Sequence, residues 1–333
     1  MSSENHQIRL AARPSGLPGP SDWELTTEPV PAPGDGQFVV EISHVSLDPA
    51  MRGWMNDMPS YIPPVGLGDV MRAGAVGRIT ASEHAEFAVG DYAYAAFGVQ
   101  EYALSDGAGV LKVDPSLAPL PTFLGTLGLT GLTAYFGLLE VCKLKEGETV
   151  VVSGAAGAVG SVVGQIAKLK GCRAVGIAGG AEKCAWIVDE LGFDAAIDYK
   201  ADDVRRGLRE HTPDRIDVYF DNVGGDVLDA ALTRLARGAR IALCGGISQY
   251  NEQRPRGPAN YLAMIAARAT MTGFLVFDYA DRYGQAIAEL AGWLRDGKLV
   301  SREHIVEGGI PAFPETFLKL FEGENIGKLV LAV

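Results

Sequence analysis

The strongest hydrophobic pattern in the chain lies between Thr149 and Ile177. Four β-favouring residues, Thr149–Val152, precede three glycines at G-x-x-G-x-x-G spacing, and the apolar positions then change from strand to helical spacing. A helix over Val159–Leu169 would end at Gly171, because glycine suits the left-handed turn that follows a helix. Arg173–Ile177 then has the composition of a buried strand. The pattern therefore predicts two parallel strands joined by a helix.

The same alternation of strands and helices continues to about residue 294. Further strands are predicted over Ala195–Asp198, Ile216–Asp221, Arg240–Cys244 and Met271–Val276. The helices between and after them are predicted over Glu182–Leu191, Val204–Arg209, Asp226–Leu235, Pro258–Arg268 and Arg282–Leu294. Six strands separated by helices are typical of a doubly wound α/β fold with a six-stranded parallel sheet.

The chain before this region has a different pattern. Short apolar stretches separated by proline, glycine and aspartate turns predict strands over Phe38–Val45, Ala75–Ile79, Asp91–Ala95 and Gln100–Leu104. Near the end of the chain, a strand over Gly327–Val333 follows a sheet that already has six members, so we expect it to return to the first domain. The predicted domains are a β-rich domain of residues 1–123 and 302–333 and an α/β domain of residues 124–301.

The three glycines at the turn after Val152 indicate a dinucleotide site. Gly154 allows a sharp bend, Gly157 leaves room for a pyrophosphate, and Gly160 lets the helix touch the strand. A helix beginning near Ala158 would direct its unbonded N–H groups and its positive dipole end at that pyrophosphate. The alternative is that a turn rich in glycine and alanine only packs tightly.

The end of the second strand favours NADPH over NADH. NAD-specific sites usually place Asp or Glu there to bind the ribose 2′-hydroxyl, whereas this strand ends in Ile177–Ala181 (IAGGA). Small residues leave space for a 2′-phosphate, and Lys183 supplies an ammonium for a charge-assisted hydrogen bond. Glu182 opposes this interpretation unless it only stabilises the helix start. The alternative for Lys183 is an ordinary solvated surface lysine.

Composition and charge exclude several classes of function. The 333 residues carry 29 basic and 41 acidic side chains, and a net charge of −12 repels nucleic acid and acidic membranes. The N-terminus lacks the apolar core of a signal peptide, and we expect a soluble cytoplasmic protein. The four cysteines and five histidines are scattered singly, so no metal site is predicted.

Six motifs in a fixed order resemble a known family. They are Ser46–Trp54 (SLDPAMRGW), Gly131–Tyr135 (GLTAY), Ala155–Gly160 (AAGAVG), Asp221–Gly225 (DNVGG), Cys244–Tyr250 (CGGISQY) and Glu324–Lys328 (ENIGK). Together they resemble the zinc-independent medium-chain reductases, and within these the prostaglandin reductase and leukotriene B4 dehydrogenase group, with its plant alkenal reductase and bacterial curcumin reductase relatives. The resemblance covers nearly the whole chain and is far more specific than the glycine turn alone.

The resemblance implies a fold and an activity. The expected fold is a GroES-like catalytic domain built from both chain ends, with a Rossmann domain between them, a cleft at their junction and a homodimer. The expected activity is NADPH-dependent reduction of the carbon–carbon double bond of α,β-unsaturated ketones and aldehydes. Zinc-containing members carry a cysteine after the first-domain strand and a Gly-His-Glu further on. This chain has Ser46 and Leu47, then Gly68 and Asp69, which agrees with a metal-free site.

Carried over motif by motif, the resemblance also implies the site residues. The pyrophosphate would be held by Ala156, Gly157, Ala158, Val159 and Gly160, and the 2′-phosphate by Lys183 and Tyr199. The nicotinamide half would be lined by Asn222, Cys244, Gly245, Ile247, Ser248, Phe274, Leu275, Val276 and Asn325. Tyr61 and Tyr250 would face the substrate, and Tyr250 would be catalytic. From the residues alone, Tyr250 is equally well a loop aromatic, and Asn222 and Asn325 are equally well turn residues.

The expected mechanism is hydride transfer to the β-carbon of the enone. Negative charge then accumulates on the carbonyl oxygen, where the Tyr250 hydroxyl would stabilise the enolate, and solvent would protonate the α-carbon. Two rivals stay open at this point. One is another enzyme activity on the same fold, either NADPH quinone reduction or the reverse oxidation of an allylic alcohol, and the other is an NADPH-binding structural or sensor protein without turnover.

Overall fold

The computed structural model describes residues 4–333 of the chain. The strands are β1 Glu4–Leu10, β2 Trp23–Pro29, β3 Phe38–Ser46, β4 Ala75–Ser82, β5 Tyr92–Ala95, β6 Tyr102–Ser105, β7 Leu111–Val113, β8 Thr149–Ser153, β9 Arg173–Ala178, β10 Ala195–Asp198, β11 Ile216–Asp221, β12 Leu235–Leu243, β13 Thr270–Gly273, β14 Glu303–Val306 and β15 Lys328–Ala332. The α-helices are α1 Ala50–Trp54, α2 Leu129–Phe136, α3 Gly160–Leu169, α4 Ala181–Ala185, α5 Val204–His211, α6 Gly225–Leu232, α7 Ala263–Ala267, α8 Tyr283–Arg295 and α9 Phe313–Glu322.

These elements form two compact units. The β-rich unit comprises the described residues up to Leu124 together with Glu303–Val333, and the parallel-sheet unit comprises Gly125–Arg302. In the parallel-sheet unit the strand order is β10-β9-β8-β11-β12-β13, and every neighbouring pair is parallel. The order reverses direction between β8 and β11. In sheets of this kind, ligands bind at that switch point, outside the carboxyl ends of the strands.

The apolar segments of the sequence form the buried strands of this sheet. Every residue of β8 is buried, and so are most residues of β9 and β11, because helices cover both faces of the sheet. The cluster of buried side chains beneath the sheet includes Val151, Ile177, Tyr219 and Ile241. This arrangement confirms the predicted doubly wound six-stranded parallel sheet.

The β-rich unit is built on one mixed sheet and a separate hairpin. The seven-stranded sheet has the order β14-β15-β3-β4-β5-β7, with β6 paired to β3, and β1 pairs with β2. Its core includes Phe38, Met51 and Met71 with two phenylalanines from α9. The α9 side chain Phe313 meets Trp23 of β2 edge to face, with ring centroids 5.4 Å apart. The β-rich fold expected for the first region is therefore confirmed.

Several predicted element bounds were wrong. The helix predicted over Asp226–Leu235 ends at Leu232, and Leu235 is the first residue of β12. The helix predicted over Pro258–Arg268 is reduced to α7, because Arg268 takes a left-handed conformation with φ of 52° and the preceding residues form turns. The last strand of the sheet ends at Gly273, earlier than its apolar sequence predicted.

The C-terminal strand is tied to β3 by a buried lysine. β15 pairs antiparallel with β3, and Lys328 at its start is only 3% exposed. The Lys328 ammonium donates to the Leu47 carbonyl at 2.6 Å and to Asp48 Oδ1 at 2.9 Å. The other oxygen of Asp48 accepts a hydrogen bond from Ser46 Oγ. A buried ammonium needs such partners, since an unpaired charge is costly away from water.

Replacing Lys328 by methionine should destabilise the protein. The substitution keeps the length of the side chain but leaves the Leu47 carbonyl and the Asp48 carboxylate without their buried donor. We expect the free energy of unfolding to fall by about 1.5–3 kcal/mol, the range for hydrogen bonds to charged groups. Urea denaturation followed by circular dichroism measures this change.

Lys319→Met is the matched control for this prediction. Lys319 pairs with Glu324 at 2.7 Å on the surface, where ion pairs contribute little. Its urea midpoint should stay close to that of the original protein. Equal shifts for the two variants would show that burial of Lys328 has no special energetic role.

Candidate functional site

The glycine turn lies at the carboxyl end of β8, beside the switch point. Gly154 has φ of +61°, a conformation that glycine adopts without strain. A Cβ on Gly160 would lie 2.3 Å from the Gly154 carbonyl oxygen, so the start of α3 can approach the turn only without a side chain there. A Cβ on Gly157 would come within 4 Å of one described atom, that same oxygen at 3.2 Å. The space beyond Gly157 is open, as a pyrophosphate would require.

The helix that follows is long enough to have a useful N-terminus. α3 spans ten residues, and no described side chain caps it at Val159. The first N–H groups of an uncapped helix point out of its N-terminus, where the helix dipole also favours an anion. The predicted residues Ala156, Gly157, Ala158, Val159 and Gly160 are thus one continuous turn at this N-terminus. Their geometry fits a dinucleotide pyrophosphate.

A buried carboxylate joins the ends of the two central strands. Asp221 at the end of β11 is 1% exposed, and its Oδ1 accepts hydrogen bonds from the hydroxyls of Ser153 and Tyr219 and from the amides of Val223 and Gly224. Its Oδ2 is buried and has no partner among the described residues. Burial raises the pKa of Asp221, although these hydrogen bonds oppose the rise. Sequence reasoning missed this network, because a single strand-end aspartate gives no sign of its partners.

Asn222 extends the same connection. Its amide N–H donates to Ser153 Oγ at 2.9 Å, and its side-chain Nδ2 donates to the Ser153 carbonyl at 2.7 Å. The asparagine therefore bridges β8 and β11. Its side chain has this structural role in addition to the predicted contact with the nicotinamide. No described group donates to its Oδ1.

The loop after β12 carries Tyr250 and is fastened to the same strand end. The amides of Cys244 and Gly245 both donate to the Asp221 carbonyl, at 2.9 and 3.1 Å. Further along, Ile247 and Ser248 donate to the carbonyls of Asn222 and Val223. The Tyr250 hydroxyl then accepts from the Gly246 amide at 3.1 Å, so the ring folds back over its own loop.

A Cβ on Gly245 would lie 3.0 Å from the Tyr250 oxygen. The absence of a side chain at Gly245 therefore allows the hydroxyl of Tyr250 to lie against the loop backbone. This predicted catalytic tyrosine is held by the Gly246 amide as well as by the loop contacts.

The remaining nicotinamide candidates of this unit differ in exposure. Val276 is buried, Leu275 is half-buried, and the half-buried ring of Phe274 lies 6.1 Å from that of Phe220 in an edge-on contact. Cys244 is half-buried as a residue, but its thiol is enclosed, and burial with the nearby Asp221 charge raises its pKa to about 12. The thiol therefore stays protonated at neutral pH.

The candidate 2′-phosphate site lies at the end of β9. Gly179 and Gly180 follow the strand, and a Cβ on Gly179 would lie 2.7 Å from the ring of Tyr199. Lys183 follows on α4, and burial, with the positive charge of Lys200 second, lowers its pKa. The Tyr199 ring thus lies against Gly179, and Lys183 lies on the helix that begins after Gly180.

Lys200 is a cation of this region that the sequence analysis did not select. It follows Tyr199 directly, and its positive charge acts on Lys183, so an anion bound here would relieve the repulsion between the two lysines. The carboxylate of Asp198 is partly engaged elsewhere, because its Oδ1 accepts hydrogen bonds from the amides of Gly180 and Lys200 at 2.8 and 3.0 Å. This oxygen is therefore not fully available to neutralise the two lysines. A basic residue just after the end of β10 was the sequence signal that could have identified Lys200.

Two predicted site residues belong to the β-rich unit. Tyr61 is 46% exposed, and its hydroxyl accepts a hydrogen bond from Trp54 Nε1 at 2.8 Å. Partial burial raises its pKa, so the phenol stays protonated at neutral pH. Asn325 donates through Nδ2 to the Gly327 carbonyl at 2.9 Å, inside the turn before β15. This bond gives Asn325 a turn-forming role of its own.

Comparison with known proteins bears on both units. The family model for the N-terminal domain of oxidoreductases matches residues 6–113, and the model for zinc-binding dehydrogenases matches residues 158–292. The NADPH-dependent curcumin reductase of Escherichia coli is 43% identical over 99% of this chain and 97% of its own length. Prostaglandin reductase 1 of Bos taurus is 40% identical over 95% of both chains. The chain belongs to the medium-chain dehydrogenase/reductase family, in the prostaglandin reductase group.

The crystal structure of one relative contains the cofactor. The crystal structure of CurA from Vibrio vulnificus in complex with NADPH superposes with a TM-score of 0.93 at 46% identity, covering 98% of this chain and 99% of that one. This reductase is an NADP-dependent oxidoreductase. The zinc in one family description has no counterpart in residues 4–333, where His, Cys, Asp and Glu side chains form no group of three suited to a metal ion. None of the helices described is long and apolar enough to span a membrane.

The lowered pKa of Lys183 predicts a pH dependence of NADPH binding. The ammonium form attracts a phosphate, and a lowered pKa means that this form is lost at a lower pH than for an ordinary lysine. We expect the Kd for NADPH to rise on going from pH 7 to about pH 10, while the Kd for NADH changes little. Titration calorimetry with each dinucleotide measures both constants.

Two variants complete this test. Lys183→Arg stays charged throughout the range, so its affinity for NADPH should not decline with pH. Lys183→Met should weaken NADPH binding by about 1.5–3 kcal/mol at neutral pH and leave NADH nearly unaffected. A pH profile shared by the original protein and Lys183→Arg would exclude Lys183 as the source.

Proposed function

We propose that this reductase uses NADPH to reduce the carbon–carbon double bond of α,β-unsaturated ketones and aldehydes. The observation that carries the proposal is the Tyr250 hydroxyl, held by the Gly246 amide on a loop that is fastened to the switch point of the nucleotide-binding sheet. The names of two relatives, curcumin reductase and prostaglandin reductase, support the same chemistry. The β-rich unit, with residues such as Tyr61, is proposed as the substrate-binding catalytic domain.

The cofactor residues are assigned by local chemistry. The turn Ala156–Gly160 would hold the pyrophosphate through main-chain N–H groups, and Lys183 with Tyr199 would hold the 2′-phosphate. Asn222, the loop from Cys244 to Ser248, the segment Phe274–Val276 and Asn325 would line the nicotinamide half. The bound dinucleotide supplies the hydride.

Tyr250 would act on the carbonyl end of the substrate. As the β-carbon accepts hydride, electron density moves onto the carbonyl oxygen, and a hydroxyl that donates to this oxygen stabilises the enolate. Accepting a hydrogen bond from the Gly246 amide polarises the Tyr250 O–H and makes it a better donor. The enolate then takes a proton at the α-carbon from solvent. The chain contributes the alignment of the substrate with the cofactor.

Tyr250→Phe tests this role directly. The variant keeps the ring but removes the donor, so kcat for an enone should fall about 100-fold, the lower end for loss of one oxyanion donor. The Kd for NADPH should be unchanged, because the main-chain bonds that fasten the loop remain. NADPH absorbance during turnover gives kcat, and calorimetry gives the Kd.

Tyr261→Phe is the control, since Tyr261 is an exposed tyrosine of the same region. It should retain full activity. Full enone turnover in Tyr250→Phe would remove the proposed role of the hydroxyl. A panel of alkenals, enones, curcumin-like diketones, quinones and saturated ketones with NADPH and with NADH tests the reaction itself. Preferential consumption of quinones, or of saturated ketones, would contradict the proposal.

We also propose that the reductase is a homodimer that pairs through β13. This strand is the outer edge of the parallel sheet, and three of its four residues are exposed, whereas the opposite edge strand β10 is largely buried. Leu262, Ile265 and Phe277 nearby also expose apolar side chains. An open strand edge beside apolar surface favours pairing with a second copy.

A charge in this apolar surface should separate the copies. Ile265 is 73% exposed, so Ile265→Lys leaves the fold intact while placing a charge in the proposed interface. We expect light scattering to give a dimer mass for the original protein and a monomer mass for the variant. Leu117→Lys, at a 68% exposed leucine of the β-rich unit, is the control and should remain dimeric. A monomeric original protein would refute the pairing.

A further inference from the structure

A single turn of π-helix follows α2 in the parallel-sheet unit. It comprises Gly137–Val141, and the Cys142 amide closes it by donating to the Gly137 carbonyl, five residues back, at 3.1 Å. Turns of this kind are rare, occur mostly as single turns inside α-helices and are frequent at functional sites. The side chains that this turn contacts therefore bear on its role.

The backbone of Gly137 gives no reason for a glycine. Its φ of −61° and ψ of −39° are α-helical, and in that conformation alanine is the better residue because it loses less backbone entropy. A Cβ at this position, however, would lie 2.5 Å from Phe274 Cζ and 2.6 Å from Phe220 Cε2. Gly137 thus lacks a side chain because two aromatic rings need the space.

The two rings differ in their freedom to move. Phe220 is fully buried on β11, between β8 and β12, where close packing leaves it no room. Phe274 is half-buried and directly follows the last residue of β13. A side chain at position 137 would therefore displace Phe274 rather than Phe220.

The end of α2 and the π-helical turn also hold the residues that follow Phe274. The rings of Phe136 and Tyr279 stack with their centres 4.7 Å apart, and the Arg282 guanidinium donates to Glu140 Oε1 at 2.6 Å. Together with the contact at Gly137, these interactions fix residues 274–282 at three points along the segment.

This segment begins at the ligand-binding edge of the parallel sheet. Gly273, the last residue of β13, is in register with Leu243, the last residue of β12, which in turn is in register with Asp221 at the end of β11. Phe274 and Phe220 therefore lie at or beside the carboxyl ends of parallel strands. Sheets of this kind bind dinucleotides at that edge.

We propose that Gly137 is a positioning residue for the nicotinamide half of the cofactor site. The space at Gly137 lets the Phe274 ring pack inward against Phe220, and the packed ring places Leu275 and Val276 as one wall of the nicotinamide site. Displacing the ring would move this wall and leave the pyrophosphate turn and the 2′-phosphate site as they are. This inference rests on the cofactor assignments of the proposed function and adds a residue that acts through Phe274.

The test compares NADPH with adenosine 2′,5′-bisphosphate, which has the adenine half and the 2′-phosphate but no nicotinamide. In Gly137→Ala the Kd for NADPH should rise about tenfold, the effect of losing about one well-packed apolar contact. The Kd for the bisphosphate should stay within about twofold of its original value. Titration calorimetry measures both constants without any substrate.

The fluorescence of bound NADPH provides a second measurement, because the emission comes from the reduced nicotinamide ring and depends on its surroundings. Gly137→Ala should lose part of the change in emission that binding to the original protein produces. Gly284→Ala is the matched control, since a Cβ on this glycine of α8 would have no described atom within 4 Å. It should keep both Kd values and the original emission.

Phe274→Leu tests whether Gly137 acts through the ring. Leucine ends short of the ring position, so it vacates the space that a Cβ at position 137 would fill, and Phe220 can yield into the same space. Adding Gly137→Ala to Phe274→Leu should therefore change the Kd for NADPH by less than about twofold, whereas the same change beside Phe274 costs about tenfold. The double variant should also fold if Gly137→Ala alone does not.

Each outcome decides between the alternatives. Equal losses of affinity for both ligands in Gly137→Ala, or no loss for either, would overturn the positioning role. The role also fails if Gly137→Ala costs tenfold beside Leu at position 274 as well, or if the double variant does not fold, because Phe274 is then not the ring that yields. An original protein that binds NADPH no more tightly than the bisphosphate would instead contradict the proposed cofactor assignments themselves.

Discussion

The candidate cofactor site depends on one buried carboxylate at the switch point of the parallel sheet. Asp221 Oδ1 accepts four hydrogen bonds, and its main-chain carbonyl accepts two more from the loop after β12. Through these bonds β8, β11 and the loop that carries Tyr250 are held in one arrangement. The cost of burying the carboxylate is offset only while its four donors stay in place, which fixes the strand ends, and the two bonds to the main-chain carbonyl fasten the loop to them.

A second constraint is electrostatic. The chain carries a net charge of −12, yet the proposed phosphate site places Lys183 and Lys200 close together and ties Asp198 to main-chain amides. Repulsion between the lysines and partial burial favour an anion there, because a bound phosphate would relieve both. At this site the local positive charge therefore outweighs the negative net charge of the protein. The acidic surface still repels polyanions at longer range.

The sequence predicted the central sheet well, because β8, β9 and β11 are continuous apolar runs whose length and spacing leave little choice. It predicted the ends of α6 and α7 poorly, since helix ends depend on local turns such as the left-handed Arg268. β1 and β2 were missed altogether. The two strands pair with each other across a long proline-rich connection, and no local sequence signal predicts this pairing.

The sequence by itself determined the doubly wound sheet, the glycine turn and the family, because these depend on residue type at fixed spacing along the chain. Only the tertiary structure decided which polar groups meet. Lys328 and Asp48 are far apart in sequence, as are Ser153 and Asp221. Such pairs form because buried charges and hydroxyls must find partners wherever the packed elements bring them, and that requirement leaves no periodic trace in the chain.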